Sequence, residues 1–269
     1  MVRLRGSGTL EHAIQTLNER VQLVRNTTSM GRGIGAAQQA WLRWWEATDA
    51  QLRNLFVESD VAENLYRMAL DVQHLDDGEG AYVHLGRIVE VSHAKLTELI
   101  AELKALRPIV SRQGSIVVPD TSAFIEGQSP LTAHLHAVAR LDADEPVRIV
   151  IPIIVIEQLD DLKRRPNQRV AARAREVLRT LWVGAAPDGT IPLAGGTGAE
   201  ILLDQPTHLR RPVEDVEIID RALFLQELTG RSVTLLACDY AMLFRARQQG
   251  LAAVEMPSTA TDAAATGDG

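Results

Sequence analysis

The chain has 269 residues, of which 46% are hydrophobic and 23% are charged, and this length predicts two domains with ample material for a core. It carries 28 Lys and Arg residues against 35 Asp and Glu residues, for a net charge of −7. This balance excludes a protein that coats nucleic acid through general positive charge. A polyanionic partner would have to be held by a local basic patch or through a metal ion.

The sequence has no segment typical of a membrane or secreted protein. The N-terminus contains basic residues but no apolar stretch of signal-peptide length, and no later run is apolar enough to span a bilayer. We therefore expect a cytoplasmic location and no membrane partner. The single cysteine, Cys238, excludes an internal disulfide and a thiolate zinc cluster. We interpret it as a small buried residue rather than a reactive thiol.

Residues 1–110 are predicted to form an all-α helical bundle. Apolar residues recur at helical spacing in four segments, at 10–24, 37–56, 61–75 and 82–106. The short connections between them favour an up-and-down arrangement. Trp41, Trp44 and Trp45 lie in the second segment, and their spacing favours the core over a partner surface. The bundle could join chains into a homo-oligomer, occlude a site or recognise a substrate, and the sequence does not decide between these roles.

Residues 111–257 are predicted to form an α/β domain with a central parallel sheet, because short apolar runs alternate with amphipathic stretches. We predict strands at 115–118, 147–151, 233–237 and 252–255. We predict helices at 131–141, 153–162, 168–183, 215–229 and 240–249. A Gly- and Pro-rich segment is predicted to hold a small strand pair, 190–193 with 200–204. Residues 258–269 lack bulky apolar side chains and are predicted to form a disordered tail.

Four acidic residues stand where predicted strands end or helices begin. Asp120 and Asp239 each follow a strand directly, and Glu157 and Asp215 lie in the first turns of helices. Asp215 or Asp239 alone would more often be a helix cap. Because the carboxyl ends of parallel strands meet at one edge of a sheet, we expect the four carboxylates to converge there. Their repulsion would then require a cation, and oxygen ligands without Cys or His favour Mg²⁺ or Mn²⁺ over zinc.

Four short motifs surround these acids in a fixed order. They are VVPDTSAFI, IPIIVIEQLDDLKR, EDVEIIDRAL and LLACDYAMLFRARQQGL. Together they resemble the four acidic motifs of the PIN-domain nucleases, and the middle block is most similar to the PIN domain often found joined to PhoH-like ATPases. The resemblance covers residues 115–257. The helical region before it resembles no family that we can name.

The resemblance implies a three-layer α/β/α domain that cleaves RNA with the help of a divalent metal. Its four acids, which are both catalytic and metal-binding, fall on Asp120, Glu157, Asp215 and Asp239. Ser122 matches the hydroxyl residue that supports the first acid or its metal. We expect one- or two-metal hydrolysis, in which bound Mg²⁺ or Mn²⁺ polarises the phosphoryl oxygen and lowers the pKa of an attacking water.

Two departures from the family pattern bear on this site. Ala237 stands two residues before the fourth acid, where the family often has Ser or Thr, and it removes a hydrogen-bonding group. The third motif is crowded with acids. Glu214, Glu217 or Asp220 could therefore take part of the role given to Asp215.

A basic segment after the second acid is the candidate surface for RNA, with single strands favoured. It contains Lys163, Arg164, Arg165, Arg169 and Arg173. The segment begins six residues after Glu157, which is near enough to hold a phosphate backbone. A solvated basic helix would account for the same pattern equally well.

Other α/β families with acids at strand ends fit less well. A receiver domain needs a lysine near its last strands, and the last lysine here is Lys163. A haloacid-dehalogenase-like phosphatase needs a second Asp two residues after Asp120, where Ser122 stands. The alternative that remains is a catalytically weak PIN-like module that binds RNA or a protein and assembles through its bundle. Metal titration followed by an RNA cleavage assay separates it from the nuclease.

Overall fold

The computed structural model describes residues 4, 9–28, 33–56, 60–76, 78, 80–205 and 208–258. These residues form two compact units. The first ends at Ser111 and the second begins at Arg112, with Gln205 and His208 grouped with the first. Within the described part of the chain, no helix is both long and apolar enough to cross a membrane.

The first unit is helical. Its helices are α1 (Leu10–Arg25), α2 (Ile34–Leu55), α3 (Asp60–Gln73), α4 (Ala81–Ala105) and the short α5 (Arg107–Ser111). Thr9 caps the start of helix α1, because its hydroxyl accepts a hydrogen bond from the N–H of His12. Helices α1 and α3 each pack against both α2 and α4. This packing agrees with the helical bundle predicted for the first part of the chain.

Two of the three clustered tryptophans belong to the core of this bundle. Trp41 and Trp44 are buried, and their ring centroids lie 5.7 Å apart. The indole N–H of Trp44 donates to the carbonyl of Arg20 at 3.0 Å. Trp45 is half-buried and packs near the ring of Tyr66. The predicted core position is therefore confirmed for Trp41 and Trp44.

The second unit alternates strands and helices. Its strands are β1 (Ser115–Pro119), β2 (Val147–Pro152), β3 (Thr190–Pro192), β4 (Thr197–Leu202), β5 (Val233–Ala237) and β6 (Ala252–Glu255). Its helices are α6 (Thr121–Ile125), α7 (Leu135–Ala139), α8 (Ile153–Leu162), α9 (Gln168–Gly184), α10 (Glu214–Thr229) and α11 (Tyr240–Gln248). Strands β1, β2 and β5 are buried along almost their whole length, as expected for strands covered by helices on both faces.

The six strands form one sheet in the order β3-β4-β2-β1-β5-β6, and only β3 is antiparallel to its neighbour. From β1 the chain moves outward through β2 to β4 and then returns to β5 on the other side of β1. Right-handed crossovers in opposite directions put the connecting helices on opposite faces, which gives the predicted three-layer α/β/α fold. The reversal also creates a switch point at the carboxyl ends of β1 and β5, where open α/β sheets bind ligands.

In the second unit, two predicted elements have boundaries that differ from the structure by three residues or more. The helix predicted at 131–141 is confined to Leu135–Ala139, because the N–H groups of Thr132 and Ala133 close a turn on the carbonyl of Ser129. The strand predicted at 200–204 is Thr197–Leu202.

The predicted tail, 258–269, lies almost wholly outside the described residues. Its first residue, Ser258, forms an isolated bridge with Gly127.

Candidate active site

Asp120 lies at the switch point, where β1 ends and α6 begins. Its carboxylate accepts hydrogen bonds from the backbone N–H groups of Ser122 and Ala123 and so caps α6. Its own N–H donates to the carbonyl of Leu236 in β5 at 2.9 Å. The residue is only 5% exposed. Strand and helix together therefore fix the position of this carboxylate.

Asp239 occupies the equivalent position after β5, which is the parallel neighbour of β1. Its carboxylate accepts from the N–H of Ala241 at 2.8 Å and caps α11. Ser122 links the two strand ends: its hydroxyl accepts from the N–H of Cys238 at 2.7 Å and is also hydrogen-bonded to Asp120. Ser122 therefore lies where a residue that supports the first acid was predicted.

Asp215 reaches the same region from the first turn of α10, next to Glu214. It accepts a hydrogen bond at 2.9 Å from Arg245 of α11, in an ion pair that is partly exposed. The charge of Asp215 helps to raise the pKa of Asp120. The two carboxylates are thus close enough to repel each other.

These side chains line a single cleft of about 640 Å³. Its acidic lining residues are Asp120, Glu126, Asp161, Glu214, Asp215 and Asp239. Among its described lining residues, Arg165 is the one basic side chain. A cleft with this lining concentrates negative potential, and it therefore attracts cations.

The structure corrects the position predicted for Glu157. This residue does not line the cleft. Both oxygens of its carboxylate accept from the guanidinium of Arg210, at 2.5 and 2.9 Å, and Arg210 also pairs with Asp204 at 2.6 Å. Three of the four predicted acids therefore come together, and Glu157 instead anchors the segment that leads into α10.

The next residue, Gln158, lies in the cleft. Its side-chain oxygen accepts from the hydroxyl of Thr121, and its amide donates to Glu214 at 2.6 Å. Asp161 and Leu162 follow at helical spacing on the same side of α8 and also line the cleft. The apolar run before Glu157, IPIIVI, marks no single buried face, so the sequence did not reveal which residues of α8 turn inward.

The third motif is crowded with acids, and only the first two of them line the cleft. Glu214 lines the cleft beside Asp215. Glu217 is buried and accepts from the N–H of Arg211 at 2.7 Å, and Asp220 is buried and pairs with the Arg211 side chain. Neither of these two acids lines the cleft. Of the three alternatives to Asp215, only Glu214 can therefore contribute to it.

The family comparison agrees with this architecture. A family model described as the PIN domain matches residues 117–257, which is more than half of the chain. The chain belongs to the PIN domain family. No curated protein matches it, and the helical region before the match has no family assignment. PIN domains are generally metal-dependent nucleases.

The lining of this PIN domain cleft fits a hard divalent cation. Carboxylate oxygens dominate it and no histidine lines it among the described residues, which is the donor set preferred by Mg²⁺ or Mn²⁺. Cys238 also lines the cleft, but burial, helped by the charges of Glu126 and Asp120, raises the pKa of its thiol to about 11. In the metal-free protein the thiol is therefore protonated at neutral pH and is a poor nucleophile.

Burial is the main reason why the pKa of Asp120 rises from 3.8 to about 6, and the charge of Asp215 adds to it. The hydrogen bonds from Ser122 and Ala123 act in the opposite direction. Without a cation, the folded PIN domain therefore binds the Asp120 proton more tightly than the unfolded chain does. The stability linked to this group is present below about pH 4 and is lost as the pH rises through about 6.

Asp120→Asn should consequently stabilise the metal-free protein at neutral pH. A shift of roughly two pKa units corresponds to about 3 kcal/mol at most. Urea unfolding of both proteins in EDTA, at about pH 4 and pH 7.5, measures the effect. The free energy of unfolding of the variant should increase relative to that of the wild type as the pH rises. If the difference between the two free energies does not change with pH, the charged form of Asp120 does not destabilise the metal-free protein.

The predicted basic surface divides into three groups. Lys163 and Arg164 both pair with Asp160. Arg173 is half-buried, and its guanidinium donates to the carbonyls of Phe124 and Gly127 after α6. Arg173 therefore has a structural role, and its contact with nucleic acid stays a prediction.

The two remaining cations of this surface are exposed. Arg165 lines the cleft and Arg169 lies in the first turn of α9. Neither side chain forms an ion pair with another described residue. They are the members of the predicted patch that remain available to phosphate groups.

Proposed function

We propose that this protein is a divalent-metal-dependent ribonuclease that hydrolyses the phosphodiester bonds of RNA in the acidic cleft. The observation that carries the proposal is the meeting of Asp120, Asp215 and Asp239, which come from three separate parts of the chain, at the switch point of a PIN domain sheet. Clustered carboxylates at this edge destabilise the protein unless a cation offsets them.

Asp120, Asp215 and Asp239 would hold Mg²⁺ or Mn²⁺, with Glu214 and Asp161 as the acids that replace Glu157. When bound, the cation supplies positive charge to the phosphoryl oxygens and makes an attacking water more acidic. Protein side chains then have the task of positioning. The hydroxyl of Ser122 and the N–H groups at the start of α6 orient Asp120.

Two further contacts hold acidic side chains of the cleft in position. Gln158 ties Glu214 to Thr121, so an acid of α10 is held near the end of β1. Arg245 holds Asp215 and brings a positive charge next to an acid that lines the cleft. A phosphate group that entered the cleft would meet Arg165 and the bound cation, and both would offset the repulsion from the acids.

The test is cleavage of a fluorescently labelled RNA by the full-length protein. We expect turnover with Mn²⁺ or Mg²⁺ and none after excess EDTA is added. Restoring the metal should restore the activity. Undiminished activity in EDTA would contradict the proposed role of the metal.

Charge reversal at Arg165 tests the path of the RNA backbone. Arg165→Glu should weaken RNA binding and reduce the slope of log affinity against log salt by about 0.7, as expected when one phosphate contact to a single strand is lost. Fluorescence anisotropy over a series of salt concentrations measures both quantities.

Arg179→Glu is the matched control, because Arg179 is exposed on α9, does not line the cleft and has no ion pair with a described residue. It changes the net charge by the same amount. Equal losses in the two variants would indicate a nonspecific effect of net charge.

A second candidate function is a catalytically weak module that binds RNA or a protein. Two features favour it: Asp215 is already paired with Arg245, and the neutral side chain of Gln158, instead of the predicted Glu157, lies in the cleft. Both features lower the negative charge that a cation would have to offset in the cleft. Such a module would show neither tight Mn²⁺ binding nor turnover of RNA.

A further inference from the structure

Two aromatic side chains are exposed next to the acidic cleft, on the helix that Asp239 caps. Tyr240 is 58% exposed and lines the cleft, and Phe244 is 68% exposed. They are four residues apart on α11, so they lie one turn from each other on the same side of the helix. The opposite side of α11 faces the core through Met242 and Ala246, which are buried. Packing of the domain therefore does not account for the aromatic pair.

The ring of Tyr240 is held in place. Its hydroxyl donates a hydrogen bond to Glu255 of β6 at 2.7 Å. The same contact raises the pKa of the phenol, so the hydroxyl stays a donor at neutral pH. The side chain of Phe244 has no polar atom that could account for its exposure. An anchored ring and a second exposed ring, one helical turn apart, thus present apolar area on the same side of α11, and Tyr240 lines the cleft.

The charges around the pair limit what can bind there. The cleft is lined mainly by carboxylates, and Arg165 is the one basic side chain among its described lining residues. A polyanion backbone alone would be repelled by most of this wall. A nucleobase is neutral and flat, and it stacks favourably on tyrosine and phenylalanine rings.

We propose that Tyr240 and Phe244 form a stacking platform for the bases of single-stranded RNA next to the bond that is cut. The proposal rests on the proposed function and specifies its substrate class. Bases in a duplex are stacked on each other and cannot lie on protein rings, whereas bases in single strands can. The platform would thus select single strands and hold the strand while its phosphate lies in the cleft.

The test measures binding without cleavage, in full-length protein that carries Asp120→Asn. The probe is a fluorescein-labelled single-stranded RNA of twelve nucleotides with mixed sequence, in Mg²⁺. Tyr240→Ala and Phe244→Ala should each weaken binding by about tenfold, as stacking interactions of this kind do. Tyr240→Phe keeps the ring and should bind as the background protein does.

Trp182→Ala is the matched control. Trp182 is 84% exposed on α9 and does not line the cleft, so its removal should leave binding unchanged. Both platform side chains are exposed, and circular dichroism checks that each variant is folded. If Tyr240→Ala fails to fold, Phe244→Ala carries the test alone.

Abasic RNA separates stacking from a general loss of binding. Removing adjacent bases from the probe should weaken binding to the background protein and have little further effect in the Phe244→Ala variant. A duplex made by annealing the probe to its complement should bind more weakly than the single strand. The platform is overturned by equal loss in both proteins, by unchanged binding of both Ala variants, by equal binding of the duplex and the single strand, or by no binding of the single strand.

The two proposals can fail separately. Wild-type protein that cleaves RNA although the aromatic variants bind it normally would remove the platform and leave the nuclease. Base-dependent binding without any cleavage by the wild type would leave the platform and remove the nuclease.

Discussion

Replacing Asp120 by Asn is expected to abolish metal-dependent RNA cleavage while the protein stays folded. The substitution keeps the size of the side chain and an oxygen that can accept from the N–H groups of Ser122 and Ala123, but it removes the buried negative charge at the centre of the cleft. We expect the rate to fall by at least about 100-fold, the loss typical of one group that stabilises a transition state. Single-turnover cleavage of labelled RNA with Mn²⁺ measures it.

Glu157→Gln is the matched control for this experiment. It makes the same chemical change in an acid that binds Arg210 outside the cleft. Its cleavage rate should stay within a few-fold of the wild-type rate. An inactive Glu157→Gln variant, with a normal unfolding transition, would mean that the second acid of the site was correctly predicted from the sequence and that the cleft described above is incomplete.

The second large effect concerns stability rather than catalysis. Glu200 of β4 accepts from the guanidinium of Arg148 in β2, at 3.0 Å from Nε, and from Arg112. Arg148 and Glu200 are both buried. Glu200→Ala leaves the Arg148 charge in the sheet with its main partner gone, which should destabilise the second unit by about 3–5 kcal/mol. Urea unfolding followed by circular dichroism measures the change.

Asp160→Ala is the comparison for this prediction, because Asp160 forms ion pairs with Lys163 and Arg164 at the surface. Exposed pairs contribute little to stability, so its unfolding midpoint should match that of the wild type. Equal effects of the two substitutions would contradict the structural role of the buried pair. Together with Asp120→Asn, the series separates acids that hold the fold from acids that serve the cleft.

Strand ends were the most predictable part of the site. Asp120 and Asp239 each follow a short, mostly apolar strand that is buried, so the end of the strand and the position of the acid follow from the same residues. Asp215 could be predicted because the side chain of an acid at the start of a helix can reach only a few positions. In all three cases the backbone, rather than the packing of a face, decides where the carboxylate points.

Helix rotation was the part that the sequence could not supply. In α8 one residue changes the direction of a side chain by about 100°, and the apolar run before Glu157 favours no particular face. The prediction consequently selected Glu157 where the structure turns Gln158 and Asp161 to the cleft. Arg173 raises the same difficulty, because nothing local indicates that its helix packs beside α6 and binds two carbonyls there.

The central claim is that the carboxylates of the cleft form a cation site, and calorimetric titration with Mn²⁺ tests it most directly. The wild type should show saturable binding, and Asp120→Asn should weaken that binding by at least about tenfold, as the loss of a group that supports a metal typically does. Identical isotherms for the two proteins, or no binding to either, would contradict the account.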